Sequence, residues 1–444
     1  MKKRLLAWIL AAMLLAGALQ GCGTSNETSG DSTDSVTLDT STEGTESEHE
    51  SETEAVTEES IKAGTETMVG TFEDKYGDYI FYRGSLSNTI SKLINEKKLT
   101  VMYYGGSVTH GAGASDSEKT SWRGLFGDWL KTSFPDAEIT NLSAAISGTG
   151  SKLGLYRLET DVVPYCPDLI FIEYAINDYY LKDGHEEIRI QNETMIRRLY
   201  EMNPKIDIVY LFTENVTTAG SQTVLHAGSK PQNEVAEYYG LNSIALGRAL
   251  TDTITDKSSA SSAEWKTYFQ DGVHPIDAGY ARYFEVIKEF LIHEVAAYQG
   301  EQATDKVLPE TTLTTVMKNY VMICGEEMKN AVTGEWSYKR GLGMSSGSIV
   351  KYNGYFTVDA ATKELSFTFT GKGVSIFFAG SGVQELQYSL DKPSWKSVSS
   401  DGNRPLTLLF DNEGEAAEHT LRIRFRAGSR PSDFRIIGFL VWVD

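Results

Sequence analysis

Leu99-Thr-Val-Met-Tyr-Tyr104 runs directly into Gly105-Gly106-Ser107-Val108-Thr109-His110-Gly111. The first six residues are mostly apolar, β-branched or aromatic and do not alternate with polar ones. They read as a strand covered on both faces, which the glycines end in a sharp turn. The flanks agree with that reading. Leu86, Ile90, Leu93 and Ile94 recur at helical spacing upstream, and Lys97-Lys98 closes that segment. Downstream, apolar runs at 138–142, 169–175, 206–212 and 242–246 alternate with helix-like stretches at 152–163, 186–202 and 231–239. A last helix from Ala278 to about Tyr298 gathers Tyr280, Phe284, Ile287, Phe290, Leu291 and Val295 on one side. The expectation for residues 68–303 is an α/β domain: a three-layer, doubly wound parallel sheet whose functional residues collect at the carboxyl ends of the strands.

From residue 304 onward the pattern changes. Runs at 364–370, 374–378, 385–390, 406–410, 419–425 and 434–443 are short, several alternate with period two, and Gly, Asp or Pro separates most of them. Helical periodicity nearly vanishes. Residues 304–444 are therefore expected to form an all-β antiparallel sandwich. The domain resembles the accessory domains of carbohydrate esterases, and that resemblance implies Trp336, Tyr338, Tyr355 and Trp395 as candidate sugar platforms, with a purely structural role equally open.

The other end of the chain is built differently. Met1-Lys2-Lys3-Arg4 is a cationic start, Leu5 to Ala18 an apolar run, and Leu19-Gln20-Gly21-Cys22 follows. Residues 1–21 resemble a bacterial lipoprotein signal, and that resemblance implies lipidation of Cys22 and anchoring at the extracytoplasmic face of the cell membrane. Residues 22–67 are almost entirely Ser, Thr, Glu, Asp and Gly, and hold 13 acids against one base, Lys62. With so little to bury, this stretch is expected to be a disordered, self-repelling linker. It contributes −12 of the formal −20, and the cationic start +3, so about −11 remains on the folded part. That balance, with no basic cluster or stripe, argues against a nucleic-acid partner. Cys166 and Cys324 fall in different domains, and no ligand spacing suggests a metal.

Ser107 is expected at the carboxyl edge of the sheet, where glycines on both sides let backbone amides approach a substrate. On its own Gly-Gly-Ser reads as readily as a turn with a capping serine. Asp271-Gly-Val-His274 has a spacing that lets a carboxylate reach imidazole Nδ1 and leaves Nε2 free, though a helix-initiating turn fits too, Pro275 included. Two further stretches give the pair meaning. Asn141-Leu-Ser-Ala-Ala-Ile-Ser147-Gly148 follows the second long strand, and Ile172-Glu-Tyr-Ala-Ile-Asn177-Asp178 ends the third. The Ser107 and Gly148 amides with the Asn177 side chain supply three donors of the kind a tetrahedral oxyanion needs.

These four blocks, in this order, resemble the SGNH hydrolase superfamily (GDSL-type esterases and lipases) over roughly residues 90–290. The resemblance implies an SGNH/flavodoxin-like fold. It also implies that Ser107 is nucleophile and oxyanion donor, that Gly148 and Asn177 complete the oxyanion hole, and that His274 is the base with Asp271 behind it. The usual Gly-Asp-Ser-Leu start is here Gly105-Gly106-Ser107-Val108, without the Asp. That form, with its Asn-Asp third block, is similar to carbohydrate-esterase members that remove O-acetyl groups from polysaccharides. The implied partner is an acetylated poly- or oligosaccharide, and no cofactor is implied. A lysophospholipase or short-chain lipase is the alternative within enzymes, and a non-catalytic glycan-binding surface lipoprotein the alternative outside them. His110, Tyr179 and Tyr180 are candidate cleft-lining residues, with Trp122, Trp265 and Tyr268 as further candidates for sugar stacking. His185 and His226 are expected at the surface or behind the site. Glu173 is expected either near the sheet edge at the site or as a buried, satisfied acid.

Overall fold

A computed structural model of the chain describes residues 75–313, 320–341, 346–350, 352, 354–358, 363–380, 383–401, 406–411, 415–428 and 433–443. The leader, Cys22 and the acidic linker lie outside the described residues.

The first domain is built on six strands: β1 (Ile80–Phe81), β2 (Lys98–Gly105), β3 (Glu138–Ser143), β4 (Leu169–Glu173), β5 (Asp207–Leu211) and β6 (Asn242–Ile244). Their order is β1-β6-β5-β4-β2-β3, all parallel except β1, which runs antiparallel to β6. The sheet is thus mixed rather than purely parallel, because a two-residue strand is too short to show a period. Helices α1 (Ser87–Ser91), α2 (Ser107–His110), α3 (Trp122–Ser133), α4 (Ser151–Asp161), α5 (Ala175–Leu181), α6 (His185–Met202), α7 (Ser229–Tyr238), α8 (Leu246–Thr251), α9 (Ala263–Lys266) and α10 (Asp277–Ala297) complete it.

The unbroken apolar strands have a direct structural cause. Val101, Tyr103, Leu169, Phe171, Val209 and Leu211 face one core with α3 and α10. Their neighbours Met102, Tyr104, Ile170, Ile172, Ile208 and Tyr210 face a second core with α4, α6 and α7. Alternation persists in direction but not in polarity, since both faces are dry. The chain leaves β2 for β3 on one side and returns to β4 on the other. The carboxyl end of β2 is therefore the topological switch point, where open α/β sheets bind ligands.

The second domain is antiparallel throughout. One sheet runs β15 (Leu406–Asp411), β12 (Gly373–Ala379), β17 (Arg435–Trp442), β10 (Gly354–Thr357), β9 (Ser337–Arg340), with β7 (Tyr320–Cys324) also paired to β17. The other runs β14 (Lys396–Asp401), β13 (Val383–Leu390), β16 (Ala417–Phe425), β11 (Leu365–Gly371), β8 (Val332–Gly334). Leu365, Phe367, Leu421, Ile423 and Phe425 meet Ile376, Phe378, Ile436 and Phe439 between the sheets. One helix, α11 (Gly325–Ala331), interrupts the strands where none was expected.

The two domains are packed together. Phe377, Ile437, Leu440 and Met322, on the outer face of the first of these sheets, bury against Ile146 and Leu153 of the α/β domain. The connection over 304–313 lies along the α/β domain: the Lys306 amide donates to Pro204 O at 2.8 Å, and Lys306 Nζ pairs with buried Asp207 at 3.1 Å.

Candidate active site

Ser107 follows β2 as the first residue of α2, a single turn that ends at Gly111 with φ of 97°. A helix leaves its first amides without intrahelical partners, so the Ser107 N–H is free of the helix ladder. Beside it lies Asn177, in the first turn of α5 after β4. Its Nδ2 donates to Thr149 O at 2.8 Å and packs against the Gly106 Cα so closely that a Cβ there would overlap it. That contact accounts for glycine at the position where the GDSL pattern carries Asp. Gly148, exposed and left-handed at φ 75°, ends the loop after β3.

The imidazole that faces Ser107 comes from a loop ahead of α10. Asp271 Oδ1 accepts the amides of Val273 and His274, each at 2.8 Å, in a tight Asx-type turn. The turn aims Oδ2 at His274 Nδ1, 2.8 Å away, while His274 Nε2 lies 2.8 Å from Ser107 Oγ. Neighbouring contacts fix the loop. Trp265 Nε1 donates to Asp271 O at 2.6 Å, and the Val216 amide donates to Gly272 O at 2.8 Å. Tyr280 Oη, on α10, donates to Ala112 O at 2.8 Å and so ties the base helix to the serine loop. Burial acts to raise the Asp271 carboxyl, but the hydrogen bonds from His274 and Val273 outweigh it and hold the group below the usual carboxylate range. An ionised Asp271 against Nδ1 fixes the tautomer that leaves Nε2 able to accept the serine proton.

Two acids that the serine does not touch sit beneath the site. Glu173, at the end of β4, is a buried and satisfied acid. Its Oε2 accepts from Thr109 N (3.2 Å) and Thr109 Oγ1 (2.9 Å), and its Oε1 accepts from Thr213 Oγ1 (2.9 Å). Asp178 accepts the Ser151 amide at 2.8 Å and Gln232 Nε2 at 2.7 Å, bracing the α5 turn that presents Asn177. Burial pushes both carboxyls up to about 7. Glu173 takes the buried, satisfied place expected for it, whereas the role of Asp178 has no signal in the sequence, because an Asp after an Asn looks like an ordinary turn residue.

The aromatic candidates divide by burial. Tyr180 is 50 % exposed and lies within electrostatic reach of Asp271, at the rim of the site. Tyr179 is half-buried, edge-on to both Tyr180 and His226. His110 is half-buried, and burial lowers its imidazole. Tyr268 is half-buried. Trp122 and Trp265 are fully buried and face no solvent: Trp122 packs on Tyr103 and Phe171, and Trp265 stacks on Phe269. They are core residues, as is Trp336, stacked on Phe425 inside the sandwich. Trp395 keeps partial exposure, with the Arg424 guanidinium 3.9 Å over its ring. His185 is at the surface, paired with Glu234 at 2.8 Å. His226 takes the second of its two expected places, behind Tyr179 rather than at the surface. It is buried, accepts the Gly228 amide, and burial pushes it down to about 4.

Comparison with known proteins bears on this geometry. Residues 103–282, which span Ser107, Gly148, Asn177 and His274, match the GDSL-like Lipase/Acylhydrolase family. Among solved structures, a two-domain esterase (CEX) active on acetylated mannans is 18% identical, with a TM-score of 0.64 over 83% of this chain and 99% of its own. The same esterase co-crystallized with mannopentaose gives 18% identity and a TM-score of 0.64 over 83% and 98%. At that identity the likeness is one of fold, and it extends through both domains. The sequence matches no curated protein.

Proposed function

We propose that this protein is an extracytoplasmic serine esterase that removes O-acetyl and other short acyl groups from carbohydrate. The observation that carries the reading is the hydrogen-bonded relay from Asp271 through His274 to Ser107, at 2.8 Å on both sides of the imidazole. His274 Nε2 takes the Ser107 proton as Oγ adds to the acyl carbonyl, and Asp271 stabilises the imidazolium. The tetrahedral oxyanion is received by the Ser107 and Gly148 amides and by Asn177 Nδ2. Thr149 O occupies one of the two Asn177 amide hydrogens, and the other remains for substrate. His274 then protonates the leaving sugar oxygen to its hydroxyl, and water activated by the same imidazole releases the carboxylate.

The family match supports ester hydrolysis, and the two-domain esterase of the same layout makes acetylated mannan the first polymer to try. Steady-state hydrolysis of 4-nitrophenyl acetate is expected, with a loss of about 10⁴-fold or more in Ser107→Ala. Acetate release from a panel of acetylated mannan, xylan and pectin identifies the polymer. Fatty-acid release from lysophospholipid in preference to acetate would favour the lipase reading. An absence of turnover on every acetyl ester, with glycan binding equal in wild type and Ser107→Ala, would leave a binding protein instead. Attachment through Cys22 is part of the same proposal, and loss of labelled palmitate incorporation in Cys22→Ala tests it.

A further inference from the structure

Resting on that esterase reading, we propose that Tyr352, a residue of the second domain, is a positioning residue for the oxyanion hole of the first. It acts by completing a buried polar clamp on the stretch Ser143–Gly148.

The stretch is held from two sides. On the side of β2, the Ala144 amide donates to Tyr103 O at 3.0 Å and the Ile146 amide to Gly105 O at 2.9 Å. These bonds continue the parallel ladder past the end of β3. On the other side β3 is the edge of its own sheet, and the second domain supplies the missing neighbour. The Gly347 amide donates to Ala145 O at 2.7 Å, the Ile349 amide donates to Ser143 O at 3.2 Å, and Ile146 bridges Ser346 in antiparallel register. Gly347 approaches so closely that a Cβ there would overlap the Ser143 carbonyl oxygen.

The carbonyl between these two acceptors, that of Ala144, is taken by a charged side chain. Arg157 Nη1 donates to Ala144 O at 2.5 Å and to Asp161 Oδ2 at 2.7 Å, and Arg157 Nη2 donates to Tyr174 Oη at 2.6 Å. Arg157 is wholly buried and Asp161 is 2 % exposed. Such an i,i+4 pair on a helix surface contributes little, but a buried one is costly unless its remaining valences are satisfied. Tyr352 is itself 2 % exposed, and its Oη donates to Asp161 Oδ2 at 2.7 Å from across the domain boundary. Burial acts to raise the Asp161 carboxyl, and both Arg157 and Tyr352 oppose that by stabilising its anion. The path from Tyr352 to the donor loop is then continuous: Tyr352 to Asp161, Asp161 to Arg157, Arg157 to Ala144 O, four residues before Gly148.

An oxyanion donor contributes through its preorganised position, and small displacements are expensive in rate while leaving ground-state binding of a small ester nearly unchanged. In the full-length protein, Tyr352→Phe is therefore expected to lower kcat for 4-nitrophenyl acetate about 10-fold, with KM within about a factor of two. The rate of Ser107 modification by a 4-nitrophenyl phosphonate, whose transition state also loads the oxyanion hole, is expected to fall in parallel. Gly347→Ala, which displaces the same stretch from the opposite side, is expected to give the same split. Rates are taken per functional site, counted by active-site titration. Unchanged kcat and phosphonylation rate per site in both variants would overturn the proposal. So would a loss confined to the number of functional sites, since that is what a merely structural role produces. If the wild-type protein hydrolyses no ester at all, the esterase reading fails, and that outcome is distinct from active variants with wild-type kcat.

Discussion

Glu173→Gln is the substitution whose consequence can be worked furthest from the structure. The carboxyl is 1 % exposed, under the one-turn helix that carries Ser107, and burial pushes its pKa from an ordinary 4.5 to about 7. At about 1.4 kcal/mol per pH unit, that displacement corresponds to about 3 kcal/mol of pH-dependent stability. The sign follows from which state holds the proton. Between about pH 4.5 and 7 the unfolded chain has lost the Glu173 proton and the folded one keeps it, so stability falls as pH rises. The contribution is complete below the unfolded value and gone once pH passes through about 7. Gln keeps the shape: its oxygen can accept from Thr109, and its NH₂ can donate to Thr213 Oγ1, a hydroxyl able to accept. The variant therefore lacks only the titration. The difference in unfolding free energy, variant minus wild type, is expected to rise by about 3 kcal/mol between pH 4.5 and 8 and to be level above that. Urea denaturation at half-unit pH intervals, followed by the fluorescence of the buried Trp122 and Trp265, measures it. A difference that stays flat across this range would refute the reasoning, because it would mean Glu173 is ionised in the folded protein despite its burial.

Asn177→Ala is expected to lower kcat on acetyl esters by about 10²- to 10³-fold with little change in KM, which steady-state kinetics reads directly. Asp271→Asn keeps the acceptor that organises the turn but removes the charge facing His274 Nδ1. A loss in kcat of about 10²- to 10⁴-fold is expected, with circular dichroism unchanged. Phe171 sits among Tyr103, Trp122 and Phe126, with ring centroids 5.3–6.1 Å away. Phe171→Ala is expected to cost about 3–5 kcal/mol in denaturant unfolding, since a wholly enclosed site has little room to collapse.

Much of this site is legible along the chain because each part lies where a buried strand stops. Tyr104 gives way to glycines before Ser107, Glu173 ends β4 shortly before Asn177, and an Asp three residues before a His makes a turn that carries its own instructions. The uninterrupted apolar character of Leu169–Ile172 is likewise sufficient to say that both faces of the sheet are covered. Burial of individual aromatics is less legible. Trp122 and Trp265 lie in polar, serine-rich neighbourhoods that read as loop, yet α3 and α9 turn both rings into the core. His226 follows Val224-Leu225 in a loop otherwise rich in Ser and Thr, and which of the two expected places it takes depends on how the loop after β5 folds back on Thr213.

The least legible feature is also the one that relates the two domains, and its cause is a change in meaning of an ordinary pattern. Arg157 and Asp161 stand four apart on α4, the spacing of a solvated surface pair, yet Arg157 turns inward onto Tyr104, Tyr174 and Ala144 O while Tyr352 of the second domain closes on Asp161. A signal for that packing does exist. Ile436-Ile-Gly-Phe-Leu-Val441 is apolar at consecutive positions, whereas a sandwich strand with one wet face should alternate. In the structure Ile436, Phe439 and Val441 serve the sandwich core, while Ile437 and Leu440 serve the boundary with the α/β domain. The same boundary covers the β3 edge of the catalytic sheet with residues 346–349, just as the antiparallel β1 covers the edge of β6. The edge at the other end is then β1 itself, two residues long and too short to offer another chain an extended ladder. The edge closed by the second domain is the one that continues into Gly148. Removing that domain would thus expose an edge strand and free the stretch that carries the proposed donor Gly148 in one step, so loss of activity on truncation does not by itself mean loss of a sugar-binding module.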